Sequence, residues 1–149
     1  MFTNVEHIGI AVRDLTLSNA LFASLLNTPP YKSEEVASEG VMTSFFKINA
    51  TKIELLTPTR PDSPIATYLE KRGEGIHHLA FEVSDIVAEM ARLKAEGFTL
   101  LNETPKRGAD NKFVCFLHPK TTNGVLIELC QEIAQGTASG TPTEMSLQE

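Results

Sequence analysis

The sequence predicts an α+β fold in which two repeated βαβββ modules form a curved eight-stranded mixed sheet around a metal cleft. The first observation is that HLAFEVSDI at 78–86 repeats HIGIAVRDL at 7–15. The second is that LIELC at 126–130 repeats KIELL at 52–56, at nearly the same offset. A constant offset indicates two copies of one unit, and two copies are too few for a solenoid. The third observation, the strand alternation described below, indicates a polar cleft.

The chain of 149 residues is predicted to fold as one domain over 1–135. Its two repeats cover about 5–58 and 76–131, and a linker helix at about 63–73 joins them. The remaining residues, 136–149, are small and polar, with many Gly, Thr and Ser. We expect this tail to be disordered.

The first repeat begins with a strand predicted over 5–12. Asp14 is a good N-cap for a helix over 15–26, and Pro29-Pro30 follows its end. The apolar stripe of that helix comprises Leu17, Ala20, Leu21, Ser24 and Leu25. Three further strands are predicted at 31–37, 41–48 and 51–57, with turns at Glu39-Gly40 and Asn49-Ala50.

The linker helix is predicted over 64–72, because Ser63 can cap it, Pro64 suits its first turn and Gly73 can end it. The second repeat then follows the same plan. Its elements are a strand over 76–83, an N-cap at Ser84 or Asp85, a helix to Glu96 that stops at Gly97, and strands over about 98–102, 112–117 and 124–130.

Strand alternation gives each repeat one His and one Glu on the face opposite its aliphatic residues. The four residues are His7, Glu54, His78 and Glu128. Gly9 and Ala80 are the small neighbours of the two histidines, so we expect free space beside each imidazole. If the two polar faces turn toward each other, the four side chains converge.

A divalent first-row transition metal suits a buried set of two imidazoles and two carboxylates. Without a cation, two buried carboxylates would repel each other and lose their hydration. A single His or Glu on a strand is usually solvated or satisfied within the core, so the match in both copies carries this interpretation. His77 has the opposite parity and is interpreted as a structural or supporting residue, whereas His118 is a candidate for substrate contact.

The composition of the chain argues against several classes of partner and location. The net charge of −6 argues against nonspecific binding to nucleic acid. The sequence contains no apolar run long enough to cross a membrane and no basic-then-apolar start typical of a secretory signal. The two cysteines, Cys115 and Cys130, lie in apolar strand-like runs. We expect them to be reduced core residues of a cytoplasmic protein.

The arrangement resembles the vicinal oxygen chelate superfamily, which has the glyoxalase and bleomycin-resistance fold, and within it the methylmalonyl-CoA epimerase family. The resemblance covers about 5–132 and depends on HIGIAVRDL, on KIELLTPTRPDSPIATYLEKRGEGIHHLAFEVSDI (52–86) and on FLHPKTTNGVLIELCQ (116–131). It implies a homodimer with one divalent metal ion per chain, with cobalt first and nickel, manganese or zinc as alternatives. The implied ligands are His7, Glu54, His78 and Glu128.

The activity implied by the resemblance is interconversion of (R)- and (S)-methylmalonyl-CoA through metal-assisted removal of the α-proton and an enolate. Inversion needs two acid/base groups that flank the reacting carbon. The resemblance assigns a catalytic role to Glu128. Some family members carry a glutamate three residues after the Gly of a Gly-Val pair, but Gly40-Val41 leads here to Thr43. The second group could therefore be Glu54, which we favour, a metal-bound water or another residue; Thr43 could hydrogen-bond the substrate.

Coenzyme A is polyanionic, so an acidic protein needs a local basic patch to bind it. The candidates are Lys106, Arg107, Lys112 and Lys120, with Arg60, Lys71 and Arg72 behind them. A simple solvated face is the competing interpretation for each of these residues.

Three other functions are compatible with the fold. Glyoxalase I uses a similar set of two His and two carboxylates, although HPK and PTRPDSP favour the epimerase. A ring-cleaving dioxygenase typically uses two His and one carboxylate, and the extra Glu argues against it. A metal-free small-molecule binding protein would not need four ligand-type residues. Fold alone decides between none of them.

Overall fold

The computed structural model describes residues 1–134, so the predicted disordered tail at 136–149 lies outside the described residues. Within this range the chain forms eight strands, three α-helices and one 3₁₀ helix. The order is β1 (Phe2–Ala11), α1 (Leu15–Leu26), β2 (Lys32–Val36), β3 (Val41–Ile48), β4 (Thr51–Pro58), α2 (Pro64–Arg72), β5 (Gly75–Val83), α3 (Ile86–Ala95), β6 (Lys106–Gly108), β7 (Lys112–Leu117), the 3₁₀ helix (Pro119–Thr121) and β8 (Ile127–Glu132).

The sheet confirms the predicted repeat. Its hydrogen-bonded strand order is β2-β3-β4-β1-β5-β8-β7-β6. In the first module β1 pairs with β4 in parallel, and β2, β3 and β4 are antiparallel neighbours. In the second module β5 pairs with β8 in parallel, and β6, β7 and β8 are antiparallel neighbours. The two modules therefore have the same topology, and the predicted mixed sheet of two βαβββ modules is confirmed.

The chain divides into two compact units, and strands β1 and β5 each run through both. The first unit, here called the His7–His78 unit, contains most of the first repeat and α2. Helix α1 packs on its aliphatic face, against Val12, Phe46 and Leu55. Helix α2 packs on the opposite face, where Ile65 and Leu69 join a cluster with Ala11, Val41 and Leu56.

The second unit, here called the Leu79 unit, comprises Met1–Glu6 and the described chain from Leu79 onward. Helix α3 covers one face of its strands through Ile86, Met90 and Leu93, in one cluster with Cys115 and Leu129. The other face carries a smaller cluster of Ala80, Val114 and Cys130. Both cysteines are buried and free, as predicted.

The predicted helix caps are confirmed. The Asp14 carboxylate accepts a hydrogen bond from Leu17 N at 2.9 Å, and the Ser63 hydroxyl accepts one from Ile65 N at 3.2 Å. Asp85, rather than Ser84, caps α3. These caps satisfy backbone N–H groups that a helix start leaves without partners. None of the helices in the described part of the chain is long and apolar enough to cross a membrane.

The predicted strand over 98–102 was wrong, and the last strand starts later than predicted. The segment 98–102 forms only an isolated bridge between Leu100 and Leu117, and the edge strand is β6, beyond Pro105. Here the Asn102 side chain accepts from Phe116 N at 3.0 Å, which replaces a backbone ladder bond. The last strand begins at Ile127 rather than at residue 124, because Val125 N donates to Thr122 O and closes a turn.

The apolar stripe predicted for α1 is not its packed face. Leu17, Leu21 and Leu25 are 70%, 65% and 71% exposed. The residues that pack against the strands are Leu15, Phe22, Ala23 and Leu26. The helix is apolar on two sides, so periodicity alone could not identify the side that faces the sheet.

Candidate metal centre

The candidate site in the His7–His78 unit begins with His7 and Glu54, which β1 and β4 hold side by side. Glu54 lies opposite Gly9 in the parallel register, two residues along β1 from His7. Both side chains are buried, and His7 Nδ1 lies 2.7 Å from Glu54 Oε2. This contact gives the buried Glu54 carboxylate a polar partner in place of water.

His78, on β5, brings a second imidazole to the same place. Its Nε2 lies 2.9 Å from His7 Nε2, and the two rings meet edge to face with centroids 5.0 Å apart. The His78 ring rests directly on Gly9, where an added Cβ would stand 2.2 Å from its Cε1. The free space expected beside Gly9 is therefore occupied by His78 itself, which corrects that expectation.

His77 supports His78 from the neighbouring position. His77 Nδ1 lies 3.0 Å from His78 Nδ1, and the two rings are perpendicular. Tyr68 of α2 packs edge to face on His77 with centroids 4.9 Å apart, and its hydroxyl donates to Ile76 O at 2.7 Å. Sequence reasoning missed Tyr68, because no pattern linked the linker helix to the His pair.

Thr43 is almost completely buried on β3. It lies opposite Leu56 on β4, while Phe45 lies opposite Glu54. Residues two apart on a strand share a face, so Thr43 is on the same face as Glu54 and diagonal to it. The structure thus brings together His7, Glu54 and His78, with Thr43 on the adjoining strand.

Glu128 lies in the Leu79 unit, on β8. It is buried, 6% exposed. Its register partners are Ala80 on β5 and Phe116 on β7, so these three side chains share one face of the unit. Ala80 is fully buried, and it belongs to the small cluster with Val114 and Cys130.

The basic candidates divide between the two faces of the β6–β7 hairpin. Lys106 Nζ lies over the Phe116 ring, 5.8 Å from its centroid, on the face that carries Glu128. Lys112 has the parity of Phe116 and therefore the same face. The Arg107 guanidinium lies over Phe113, 5.9 Å from its centroid, on the opposite face.

Two further sequence candidates, His118 and Arg60, have structural partners. His118 Nδ1 accepts from Lys120 N at 3.0 Å, so this imidazole caps the 3₁₀ helix, and Lys120 itself is exposed. Arg60 pairs with Asp62 at 2.7 Å and also donates to the carbonyls of Ala37 and Ser38. It therefore holds the β2–β3 turn, a role that sequence reasoning did not predict.

The donors in the His7–His78 unit fit a divalent metal ion. His7 and His78 turn ring nitrogens toward each other at a separation that one ion could bridge, and both are candidate ligands. A buried carboxylate adjoins them. Neutral imidazole and carboxylate together suit cobalt, nickel, manganese and zinc.

Comparisons with known proteins agree with the geometry. Residues 6–116 match the family model of the glyoxalase/bleomycin resistance protein/dioxygenase superfamily. The chain belongs to this superfamily. It is 43% identical over 133 residues to the ethylmalonyl-CoA/methylmalonyl-CoA epimerase of Cereibacter sphaeroides, which covers 88% of this chain and 99% of that protein.

Two solved structures place the chain among the methylmalonyl-CoA epimerases. A variant of the Streptomyces coelicolor methylmalonyl-CoA epimerase, in complex with 2-nitronate-propionyl-CoA, superposes with a TM-score of 0.87 at 36% identity, covering 90% of this chain and 100% of that one. The enzyme from Mycobacterium tuberculosis gives a TM-score of 0.87 at 36% identity, covering 93% of both chains. The resemblance found in the sequence is confirmed.

Proposed function

We propose that this protein interconverts (R)- and (S)-methylmalonyl-CoA. The observation that carries the proposal is the buried cluster of His7, Glu54 and His78 in a chain with 43% identity to a methylmalonyl-CoA epimerase. These relatives favour the epimerase over glyoxalase I. An epimerase must remove a proton from a carbon beside a thioester and return it on the other side, and the chemistry of this cluster suits that task.

The proposed ligands of one divalent ion per chain are His7, Glu54, His78 and Glu128, with cobalt as the first candidate. Glu128 is included because it is buried opposite Ala80, which follows His78 by two residues on β5. An ion held by these residues supplies Lewis-acid stabilisation of negative charge on a thioester oxygen. The same ion would also compensate the buried carboxylates.

The proposed acid/base groups are Glu128 and Glu54. A carboxylate accepts the α-proton from one side of the substrate, and a second group donates a proton to the other side. Thr43 cannot act as the base, because a hydroxyl is not ionised at neutral pH. Its burial on the face of Glu54 supports a role as a hydrogen-bond donor to substrate or water.

Coenzyme A contact is proposed first for Lys106 and Lys112. Two observations support this choice. Both lysines lie on the face that carries Glu128, and the S. coelicolor relative was solved with a bound acyl-CoA analogue. Arg107, His118 and Lys120 have weaker support. Arg107 lies on the opposite face and His118 caps the 3₁₀ helix, so their contribution to substrate binding would have to be indirect.

A cytoplasmic homodimer is also proposed. The support for a dimer is the exposed leucine stripe of α1, on a helix that carries no charged residue. An uncharged apolar helix face is typical of protein interfaces. Two buried free cysteines are consistent with a reducing compartment.

The proposal is tested by assaying purified protein for epimerisation while its metal content is measured. We expect one divalent ion per chain, loss of activity after chelation, recovery with Co²⁺, and deuterium incorporation at C2 of methylmalonyl-CoA in heavy water. Lactoylglutathione formation from methylglyoxal and glutathione, without epimerisation, would indicate glyoxalase I instead. Inversion over many turnovers without solvent deuterium would contradict two exchanging acid/base groups.

A further inference from the structure

We propose that His77 is a positioning residue that fixes the tautomer and orientation of His78, and so directs His78 Nε2 to the metal ion. This inference rests on the proposed metal site. It concerns a residue outside the proposed ligand set, which strand parity alone assigns to the opposite face.

The two ring contacts of His78 define what each nitrogen does. His78 Nε2 faces His7 Nε2 at 2.9 Å, and His78 Nδ1 faces His77 Nδ1 at 3.0 Å. A neutral imidazole has one N–H donor and one acceptor nitrogen. A metal-binding Nε2 must present its lone pair, so the proton of His78 has to be on Nδ1. His77 Nδ1 then accepts from it, and the proton of His77 is on Nε2.

The support for His77 comes from outside the cluster. Tyr68 packs edge to face on the His77 ring, and its hydroxyl is fixed by the Ile76 carbonyl. Tyr68 also packs against the core cluster that contains Ile65 and Leu69 of α2. The position of the linker helix α2 therefore affects the orientation of His78 through Tyr68 and His77.

Gly9 also limits the His78 ring, because a Cβ at position 9 would stand 2.2 Å from His78 Cε1. His78 is thus restricted by both Gly9 and His77. Such a ligand loses little rotational freedom when it binds a metal, and its hydrogen-bonded partner raises the basicity of the metal-binding nitrogen. Partners of this kind typically contribute about 10- to 100-fold to metal affinity.

The experiment compares Co²⁺ affinity, measured by competition with a chromogenic chelator, in the wild type, His77→Phe and His77→Asn. Phe keeps an aromatic ring for Tyr68 and removes the acceptor, so we expect Co²⁺ affinity to fall about 10- to 100-fold. Asn retains a side-chain acceptor near the position of Nδ1, so we expect affinity close to wild type. His118→Phe removes an imidazole far along the chain and should leave affinity unchanged.

A second readout uses ¹⁵N NMR of the Zn²⁺-loaded protein. The wild type should show His78 protonated at Nδ1. Equal Co²⁺ affinity in His77→Phe and wild type would overturn the positioning role and leave the metal site intact. Failure of the wild type to bind Co²⁺ would overturn the metal site itself. If His77→Phe does not fold, Tyr68→Ala replaces it, and unchanged affinity there contradicts transmission through His77.

Discussion

The imidazole of His78 lies against the backbone of Gly9, so closely that a Cβ at position 9 would stand 2.2 Å from His78 Cε1 and 2.5 Å from Nδ1. The His78 ring, from the second repeat, therefore occupies the space that a side chain at position 9 of the first repeat would need. Glycine at this position is required by this close approach rather than by its backbone conformation.

Gly9→Ala should displace the His78 ring and weaken metal binding. The added methyl cannot fit at 2.2 Å, so the imidazole must rotate or β5 must shift. We expect at least about tenfold weaker Co²⁺ affinity, comparable with the loss of a supporting contact. Gly75→Ala is the matched control on the same strand as His78, because its nearest atom, Tyr68 Oη, is 3.9 Å away. Wild-type affinity in Gly9→Ala would contradict the observed packing.

Much of the fold could be predicted from the sequence because every strand and α-helix except the linker helix occurs in both repeats. Asp14 and Ser63 cap helices α1 and α2 as predicted, since capping depends on local hydrogen bonds. The departure of segment 98–102 from a regular strand could not be predicted. There the Asn102 side chain accepts a hydrogen bond from Phe116 N in place of a backbone ladder bond. Local sequence does not encode that contact.

The candidate site, too, could be predicted from the sequence only in part. Parity predicted that His7 and Glu54 point to one face, and the structure places them 2.7 Å apart. Parity also suggested that His77 points away from His78. In the structure its Nδ1 nevertheless reaches His78 Nδ1, because the ring turns toward its neighbour under Tyr68. A two-residue period predicts the face of the strand from which a side chain starts, but not how that side chain rotates.

Cys115 should resist alkylation in the folded protein. Burial raises the pKa of its thiol to about 11, so the nucleophilic thiolate is scarce at neutral pH. Cys130 is also fully buried. We expect negligible reaction with a thiol reagent at pH 8 until denaturant is added, and then two reactive thiols per chain. Rapid labelling of the native protein would contradict this burial.

The same pKa has a consequence for stability at high pH. The folded state holds the Cys115 proton more tightly than the unfolded chain, whose thiol has a pKa near 9.0. This contribution to stability is complete below that value and declines as the pH rises toward about 11. Cys115→Ser would be a poor control because it buries a hydroxyl; Cys115→Ala should remove this one contribution to the alkaline decline.

Leu21→Glu should weaken the proposed dimer. Leu21 is 65% exposed in the centre of the α1 stripe, so the substitution leaves the packed face of the helix intact. Burial of one leucine at an interface contributes about 2 kcal/mol, and a homodimer loses two, so association should weaken by about 10³-fold. Sedimentation should show a shift to monomer in a chain that remains folded. Leu101→Glu, at a site 52% exposed, is the control. A monomeric wild type would exclude the dimer.

Lys106→Ala should raise KM for methylmalonyl-CoA with little change in kcat. A lysine that contacts a phosphate binds substrate and transition state equally, and its loss affects KM alone. We expect about a tenfold increase, typical of one charge-assisted hydrogen bond. Arg107→Ala is the matched control, because Arg107 occupies the next position on β6 but the opposite face. An equal rise in KM for both variants would indicate a general effect of charge instead.

The two glutamates should respond differently to Glu→Gln, which keeps the shape and one acceptor oxygen but removes the base. Glu128→Gln should lower turnover by about 10²–10⁴-fold while much of the metal is retained, as expected for loss of a catalytic base. Glu54 is the more informative position, because its carboxylate contacts His7 Nδ1 at 2.7 Å. Gln can still accept from that nitrogen, so the orientation of His7 should survive.

If Glu54 is the second acid/base group, Glu54→Gln should abolish inversion while deuterium exchange from one enantiomer partly persists. Separate rates of exchange and inversion, followed by NMR with each enantiomer, distinguish this result from simple metal loss, which would depress both. Near-wild-type epimerisation would instead assign Glu54 to holding His7 or the ion. The missing group would then have to lie near Thr43, which shares the face of Glu54 on the adjoining strand.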